Sequence, residues 1–285
     1  MENSEKQQIV NDLVAFVEIK GSQNKAAVAL QVSSATVSQM LKNNWDNIAD
    51  EMWRKVKSNM TNPTSQTEWQ TVNTSDFNEL TKILTDAQSN SMAMGVIGEA
   101  GSGKTVTMKH YAANNKNAFL LDCNEYWNRK LFLGELLKEM GFDYSGLTVG
   151  EMMNEAVSRL KSKELPLIMM NEADKLTDQV FYFFITLYNR LEDDCGIILI
   201  ATDHLRKRLD RGRKLNKKGY NEIFSRIGRK FIELDGVTYA DVHKICIANG
   251  ITDVALIKKV WNDCESDLRR VKRKIHALKN TKNAD

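Results

Sequence analysis

Gly98-Glu99-Ala100-Gly101-Ser102-Gly103-Lys104-Thr105 fits G-x-x-x-x-G-K-[ST], the spacing of a loop that cradles the phosphates of a nucleoside triphosphate. The residue types explain why. Glycines let several backbone N–H groups turn toward one point, and a helix that follows adds partial positive charge from its N-terminus. Lys104 would reach the β- and γ-phosphates, and the Thr105 hydroxyl would ligate Mg²⁺. Ser91 to Ile97 reads as a short buried strand leading into the loop, and Val106 to Ala113 as the start of the helix leaving it. Gly98 through Thr105, with Val106, are therefore the candidate contacts to ATP. The flanking strand and helix argue against a chance glycine-rich turn.

Hydrolysis needs two further oxygens, and an apolar strand ending in polar residues is where they should lie. Leu167-Ile168-Met169-Met170-Asn171-Glu172 has that form, opened by Pro166. The first of the pair would hold the water shell of Mg²⁺. Asn171 keeps an oxygen ligand there but lacks the negative charge, so the ion should be held more weakly and hydrolysis should be slow. Glu172 remains able to act as the base that polarises the attacking water. A third strand end, Thr202 or Asp203 after Ile197-Ile198-Leu199-Ile200-Ala201, would place a polar sensor near the γ-phosphate.

These residues need a scaffold that brings strand ends together. Apolar runs at Ala118–Cys123, Leu167–Met170 and Ile197–Ala201 alternate with helical patterns at Arg129–Met140 and Val149–Lys161. Such alternation predicts an α/β fold, a parallel sheet with helices on both faces and polar strand termini gathered at one edge. A helix is expected to open at Asp76, with Glu79 three residues on as a capping box. Tyr239 to Leu278 reads as a small helical lid, in which Ser266-Asp267-Leu268-Arg269 puts Arg269 where it could swing onto bound nucleotide.

Ahead of this core, Gln7 to Lys20 and Asn24 to Leu30 read as helices, followed by Gln31-Val32-Ser33-Ser34-Ala35-Thr36-Val37-Ser38-Gln39-Met40-Leu41. That stretch resembles a repressor-type helix-turn-helix, with Ala27 at the helix crossing, Val32 and Val37 buried, and Ser33 or Ser34 as cap. Its second helix would offer Ser34, Ala35, Thr36, Ser38 and Gln39 to a DNA groove. The alternative is a three-helix bundle that contacts protein. Gln31 stands where glycine is usual, at a cost of about 1 kcal/mol if the backbone there is left-handed. Trp45, Ile48, Met52, Trp53 and Val56 would close this small core. Between it and the sheet, Met60 to Thr74 loses all periodicity and reads as a linker. The expected organisation is thus an all-α helix-turn-helix domain over 1–59, a linker over 60–75, an α/β ATPase core over 76–235 and a helical lid over 236–285.

The chain has 285 residues and a formal net charge of only +3, so nucleic-acid affinity would have to come from local patches. One stretch is strongly biased: residues 206–230 hold eleven Lys/Arg against two acids, Asp210 and Glu222. Arg206 to Gly219 reads as an exposed loop, either a solvated charge run or a phosphate-backbone contact. The helix after it carries Arg226, placed to reach the γ-phosphate of a neighbouring subunit, which would make the protein an oligomer. Cys123, Cys195, Cys246 and Cys264 show neither C-x-x-C nor zinc spacing and read as buried apolar residues in a reducing compartment. Nothing approaches the roughly 18 apolar residues that span a bilayer, and the first residues lack the pattern of a signal peptide. A cytoplasmic protein without a membrane partner is expected.

Taken together, GEAGSGKT, LIMMNEADKL, IILIATDHL, IFSRIGRK and SDLRR make the chain resemble an AAA+ ATPase. It is most similar to the family of phage Mu transposition protein B, TnsC and IstB. The first two stretches alone would indicate a phosphate-loop ATPase, whereas IFSRIGRK with the N-terminal domain points to the transposition branch. The resemblance implies ATP-driven assembly of a helical filament of the protein on duplex DNA with little sequence preference. It further implies delivery of that DNA to a DDE-type transposase, stimulation of the transposase, and disassembly on hydrolysis. Carried over by position, DNA contacts would come from Lys130 and Thr148, with Arg129 beside them. Asn171 departs from the family's Asp. Two rival readings stand beside this one: a helicase loader that shares the AAA+ core, and a DNA-binding regulator switched by nucleotide.

Overall fold

The computed structural model describes residues 3–20, 22–45, 48–61 and 69–282. They fall into two compact units, within 1–69 and 70–285.

The first unit is helical: α1 (Asn3–Lys20), α2 (Gln23–Leu30), α3 (Ser34–Leu41) and α4 (Asp50–Thr61). Its core is Ile9, Leu13, Ala27, Leu30, Val37, Met40, Trp53 and Val56, with Trp45 edge-on to Trp53 at 5.6 Å. Ala27 is buried as expected of a helix crossing, whereas Val32 is only half-buried. Gln31 does adopt the left-handed region (φ 55°), so the turn carries the strain that glycine would avoid. Ser33 is the cap: its Oγ accepts the Thr36 amide at 3.0 Å. Residues 62–68, seven of the sixteen in the expected linker, lie outside the described residues.

The second unit opens with α5 (Ser75–Ser89). Its cap is Thr74, whose hydroxyl accepts the Phe77 amide at 3.2 Å, not the expected Asp76–Glu79 box. The reason is tertiary: Asp76 is buried and its carboxylate accepts the Gly236 amide at 2.9 Å. Then follow β1 (Ala93–Ile97), α6 (Lys104–Asn114), β2 (Ala118–Asp122), α7 (Arg129–Glu139), α8 (Val149–Lys161), β3 (Leu167–Asn171), a short 3-10 turn at Ala173–Lys175, α9 (Asp178–Leu191) and β4 (Gly196–Ala201). The chain continues through α10 (Asp203–Lys214), α11 (Tyr220–Arg226), β5 (Phe231–Glu233), α12 (Tyr239–Ala248), α13 (Val254–Cys264) and α14 (Leu268–Lys282).

The strands form one parallel sheet in the order β2-β3-β4-β1-β5. Strands β3 and β4 are buried throughout, as continuous apolar runs in a parallel sheet should be. Alternate residues feed two cores. Ile168, Met170, Ile197 and Leu199 pack with α7, α8 and α9, while Leu167, Met169, Ile198 and Ile200 pack with α5 and α6. Because all strands run the same way, the ends of β1, β2, β3 and β4 meet at one edge.

The expected loop over Arg206–Gly219 is instead mostly helix. Leu205, Leu209 and Gly212 recur at helical spacing and bury a thin stripe of α10. Several cations of residues 206–219 are spent on acids of the same unit: Arg206 and Lys207 on Asp203, Arg213 on Asp210, Arg208 and Lys217 on Asp178.

Candidate functional site

The phosphate loop leaves β1 at Ile97 and enters α6 at Lys104. Gly101 and Gly103 sit at φ 82° and 100°, a region strained for any side chain. A Cβ on Gly101 would also run into the carboxylate of Asp267. Gly103 caps α6 with no side-chain bond, so the first-turn amides of α6 remain available to an anion. Lys104 Nζ donates to the carbonyls of Gly98 (2.8 Å) and Glu99 (2.6 Å), which holds the ammonium inside the curl of the loop. Burial lowers its pKa, opposed by the charges of Asp76 and Glu99; Arg269 adds to the fall, so that guanidinium also belongs to the field of the loop.

Across the sheet edge, Asn171 Nδ2 donates to Thr105 Oγ1 at 3.2 Å and to Asp122 Oδ1 at 2.7 Å. A carboxylate oxygen that close requires the amide nitrogen to face it, which fixes the orientation of the amide. Asn171 Oδ1 is left buried and without a partner. Magnesium takes oxygen donors and keeps several waters. Thr105 Oγ1 fits such an ion as a direct ligand, and Asn171, with one buried amide oxygen unpartnered, lies beside it. When bound, the ion would neutralise charge on the phosphates.

Glu172 follows at once, in the left-handed region (φ 54°, ψ 41°), with its carboxylate 2.7 Å from Lys175 Nζ. To act as base it must exchange that partner for water. Thr202, the residue after β4, donates its hydroxyl to Asp174 Oδ2 at 3.4 Å, so the two strand ends are linked beside Glu172. The field here is negative. The Cys123 thiol is pushed up by burial first, and by Asp122, Glu172 and Asp174 after it.

Behind the loop the C-terminal helices dock on it. The Leu268 amide donates to the Gly101 carbonyl at 3.0 Å, and Asp267 caps Arg269 at 2.7 Å. Asp241, at the start of α12, accepts from both the amide (2.8 Å) and the hydroxyl (3.2 Å) of Ser75 at the start of α5. Asp76 beside it is pushed up by burial, against the pull of the Gly236 amide. Ser102 Oγ and Asp76 Oδ2 themselves are buried and complete no hydrogen bond.

Residues 86–209 match a family model described as AAA domain. Over these residues the chain is similar to an AAA domain. No curated protein matches it. AAA domains bind ATP with Mg²⁺ and are nucleotide-dependent ATPases, which agrees with the loop, the threonine and the strand ends just described. Among the described residues no helix is long and apolar enough to cross a membrane.

Within the matched residues, Lys104, Thr105, Val106, Asn171, Glu172 and Thr202 all lie at or just beyond the carboxyl edge of the sheet, and Arg269, outside the match, reaches the same field from α14. Arg226 does not join them. It ends α11 with its guanidinium over the Tyr188 ring of α9, centred 5.1 Å away, and with Nε buried and unpartnered. Arg129 and Lys130 are exposed in the first turn of α7, capped by Asn128. The Thr148 hydroxyl is engaged in a capping box with Glu151. In the helical unit, the Thr36 hydroxyl pairs with Ser33 Oγ at 2.7 Å, Ser38 is half-buried and Gln39 is exposed.

Three residues of this neighbourhood were missed in the sequence. Asp122 ends an apolar run just as Asn171 does, a signal that comparing strand ends would have found. Arg208 looked like one cation among many; it donates to the carbonyls of Asp174 and Leu176 and to Asp178, and so braces the turn after Glu172. Asp241 carried only the local signal of a Thr238–Asp241 capping box; its bond to Ser75 could not be read, because that partner is far off in sequence.

Proposed function

We propose that this protein is an ATP-dependent AAA+ protein that assembles on duplex DNA with little sequence preference and delivers that DNA to a DDE-type transposase. Slow ATP hydrolysis, with Glu172 as base, dissolves the assembly. The observation that carries the reading is the separation of Arg226 from the phosphate loop of its own chain. The residue is half-exposed, its guanidinium stands over Tyr188 of α9, and its Nε is buried and unpartnered. A finger so placed serves the nucleotide of a neighbour, so ATP at a subunit boundary would hold the assembly together. The resemblance of IFSRIGRK and of the N-terminal helices to the transposition branch supplies the substrate. In this reading Arg129, Lys130 and Thr148 track the DNA backbone, and Ser38 and Gln39 of the helix-turn-helix add contacts; Thr36, already bonded to Ser33, contributes least.

A second reading rests on Asn171. A neutral residue at the metal position favours holding nucleotide over hydrolysing it, which suits a DNA-binding regulator switched by nucleotide. Electron microscopy with random-sequence duplex separates the two. Rings or filaments on DNA that form only with a slowly hydrolysed ATP analogue support the transposition reading. Isolated particles, or binding indifferent to nucleotide, overturn it and favour the regulator.

A further inference from the structure

The metal position of this site is short of one negative charge. Asn171 stands where a carboxylate would face the water shell of Mg²⁺, and its buried oxygen has no partner. The missing charge lies one strand away. In the parallel register Asp122 is the residue opposite Asn171, and its Oδ1 accepts the Asn171 amide at 2.7 Å while the same amide reaches Thr105 Oγ1 at 3.2 Å. We infer that Asp122 supplies the anionic oxygen of the Mg²⁺ site, with Asn171 as a clamp that fixes both this carboxylate and the metal-binding threonine. This rests on the phosphate loop being a nucleotide site.

A purely structural role accounts for Asp122 less well. Its only ion pair among the described residues is with Lys109 at 4.0 Å, and both side chains are more than half exposed. Such pairs contribute little. The short bond is the one to Asn171, on a residue only 3 % exposed whose other amide atom is left for a donor. Water on a divalent ion is a strong donor, and the Asp122 carboxylate, held beside Thr105 by Asn171, is an acceptor for it. Charge is thereby kept within reach of the ion but moved from β3 to β2.

The test is the Mg²⁺ requirement for nucleotide binding, read by fluorescence of N-methylanthraniloyl-ATP on the full chain while free Mg²⁺ is varied with EDTA. Asp122→Asn keeps shape and removes charge; it is expected to raise the Mg²⁺ midpoint about ten-fold or more, the scale set by groups that support metal ligands. Asn171→Asp in that background returns the charge to β3 and is expected to bring the midpoint back toward the parent. Asn171→Asp alone sets two carboxylates in contact and should lower the melting temperature. An unchanged midpoint in Asp122→Asn, or no recovery in the double variant, overturns the inference. If the parent binds nucleotide without regard to Mg²⁺, the inference fails while the phosphate-loop reading stands. A parent that binds no nucleotide overturns both.

Discussion

The backbone amide of Leu268 donates to the carbonyl of Gly101 at 3.0 Å, so the last helix of the chain begins on the phosphate loop. Asp267 packs where a Cβ on Gly101 would stand, and Arg269 follows within the field of Lys104. Bound phosphate and the position of α14 are therefore mechanically linked. Arg269→Ala should weaken nucleotide binding about five- to ten-fold, equivalent to about 1 kcal/mol, with little change in melting temperature. Gly101→Ala, strained at φ 82°, should lose binding and stability together. Equilibrium binding and thermal melting of the two variants check the contrast.

Glu172→Gln should retain nucleotide and lower the hydrolysis rate about 100-fold or more, the scale of a lost general base. Single-turnover measurement of phosphate release reads this directly. A parent-like rate in the variant would remove Glu172 from the base role and leave its pairing with Lys175 as its function.

Arg208 separates a structural cation from a nucleic-acid contact. It bonds to two carbonyls and Asp178 and stacks on Phe181 at 4.4 Å. Arg208→Met should cost about 2–3 kcal/mol of stability, because it strands those acceptors. Arg208→Lys should not restore it, since an ammonium lacks the planar fork. Denaturant unfolding checks both; unchanged stability with reduced DNA affinity would return Arg208 to the role of phosphate contact.

Two neighbouring carboxyls should respond to pH in opposite senses. For Asp241 burial raises the pKa, but bonds from Thr238 and Ser75 outweigh it and leave the folded value below the ordinary 3.8. Its stabilisation is present above that value and is lost as pH falls through the folded one. For Asp76 burial wins and the folded value lies above 3.8. Its protonated form favours the fold, and that contribution is lost as pH rises through the folded value. Asp76→Asn should therefore raise the melting temperature at neutral pH, with the gain shrinking toward pH 3.8, whereas Asp241→Asn should lower it at neutral pH. Melting curves across acid pH would show the crossing trends.

The sheet was legible because β3 and β4 are unbroken apolar runs with polar ends, and the phosphate loop because its chemistry is local. Helix α10 was hidden by charge: Leu205, Leu209 and Gly212 are too thin a stripe to show among so many Lys and Arg. At the start of α5 both Thr74 and Asp76 could cap, and only the Gly236 amide, brought in by the fold, decides against Asp76. The pairing of Asp122 with Asn171 depends on strand register, which no local pattern states. At Gln31 the sequence left the left-handed turn as a condition, and the structure supplies it at φ 55°.

The most direct measurement is calorimetric titration of Mg²⁺-ATP into the 285-residue chain and into its Lys104→Ala variant. The expected result is saturable binding to the parent and affinity lower by about 10- to 100-fold in the variant, as befits a lost charged hydrogen bond to phosphate. Absence of binding to the parent, or equal affinity in the variant, would contradict the assignment of Gly98–Thr105 as the nucleotide site, and with it the nucleotide-driven assembly built on that site.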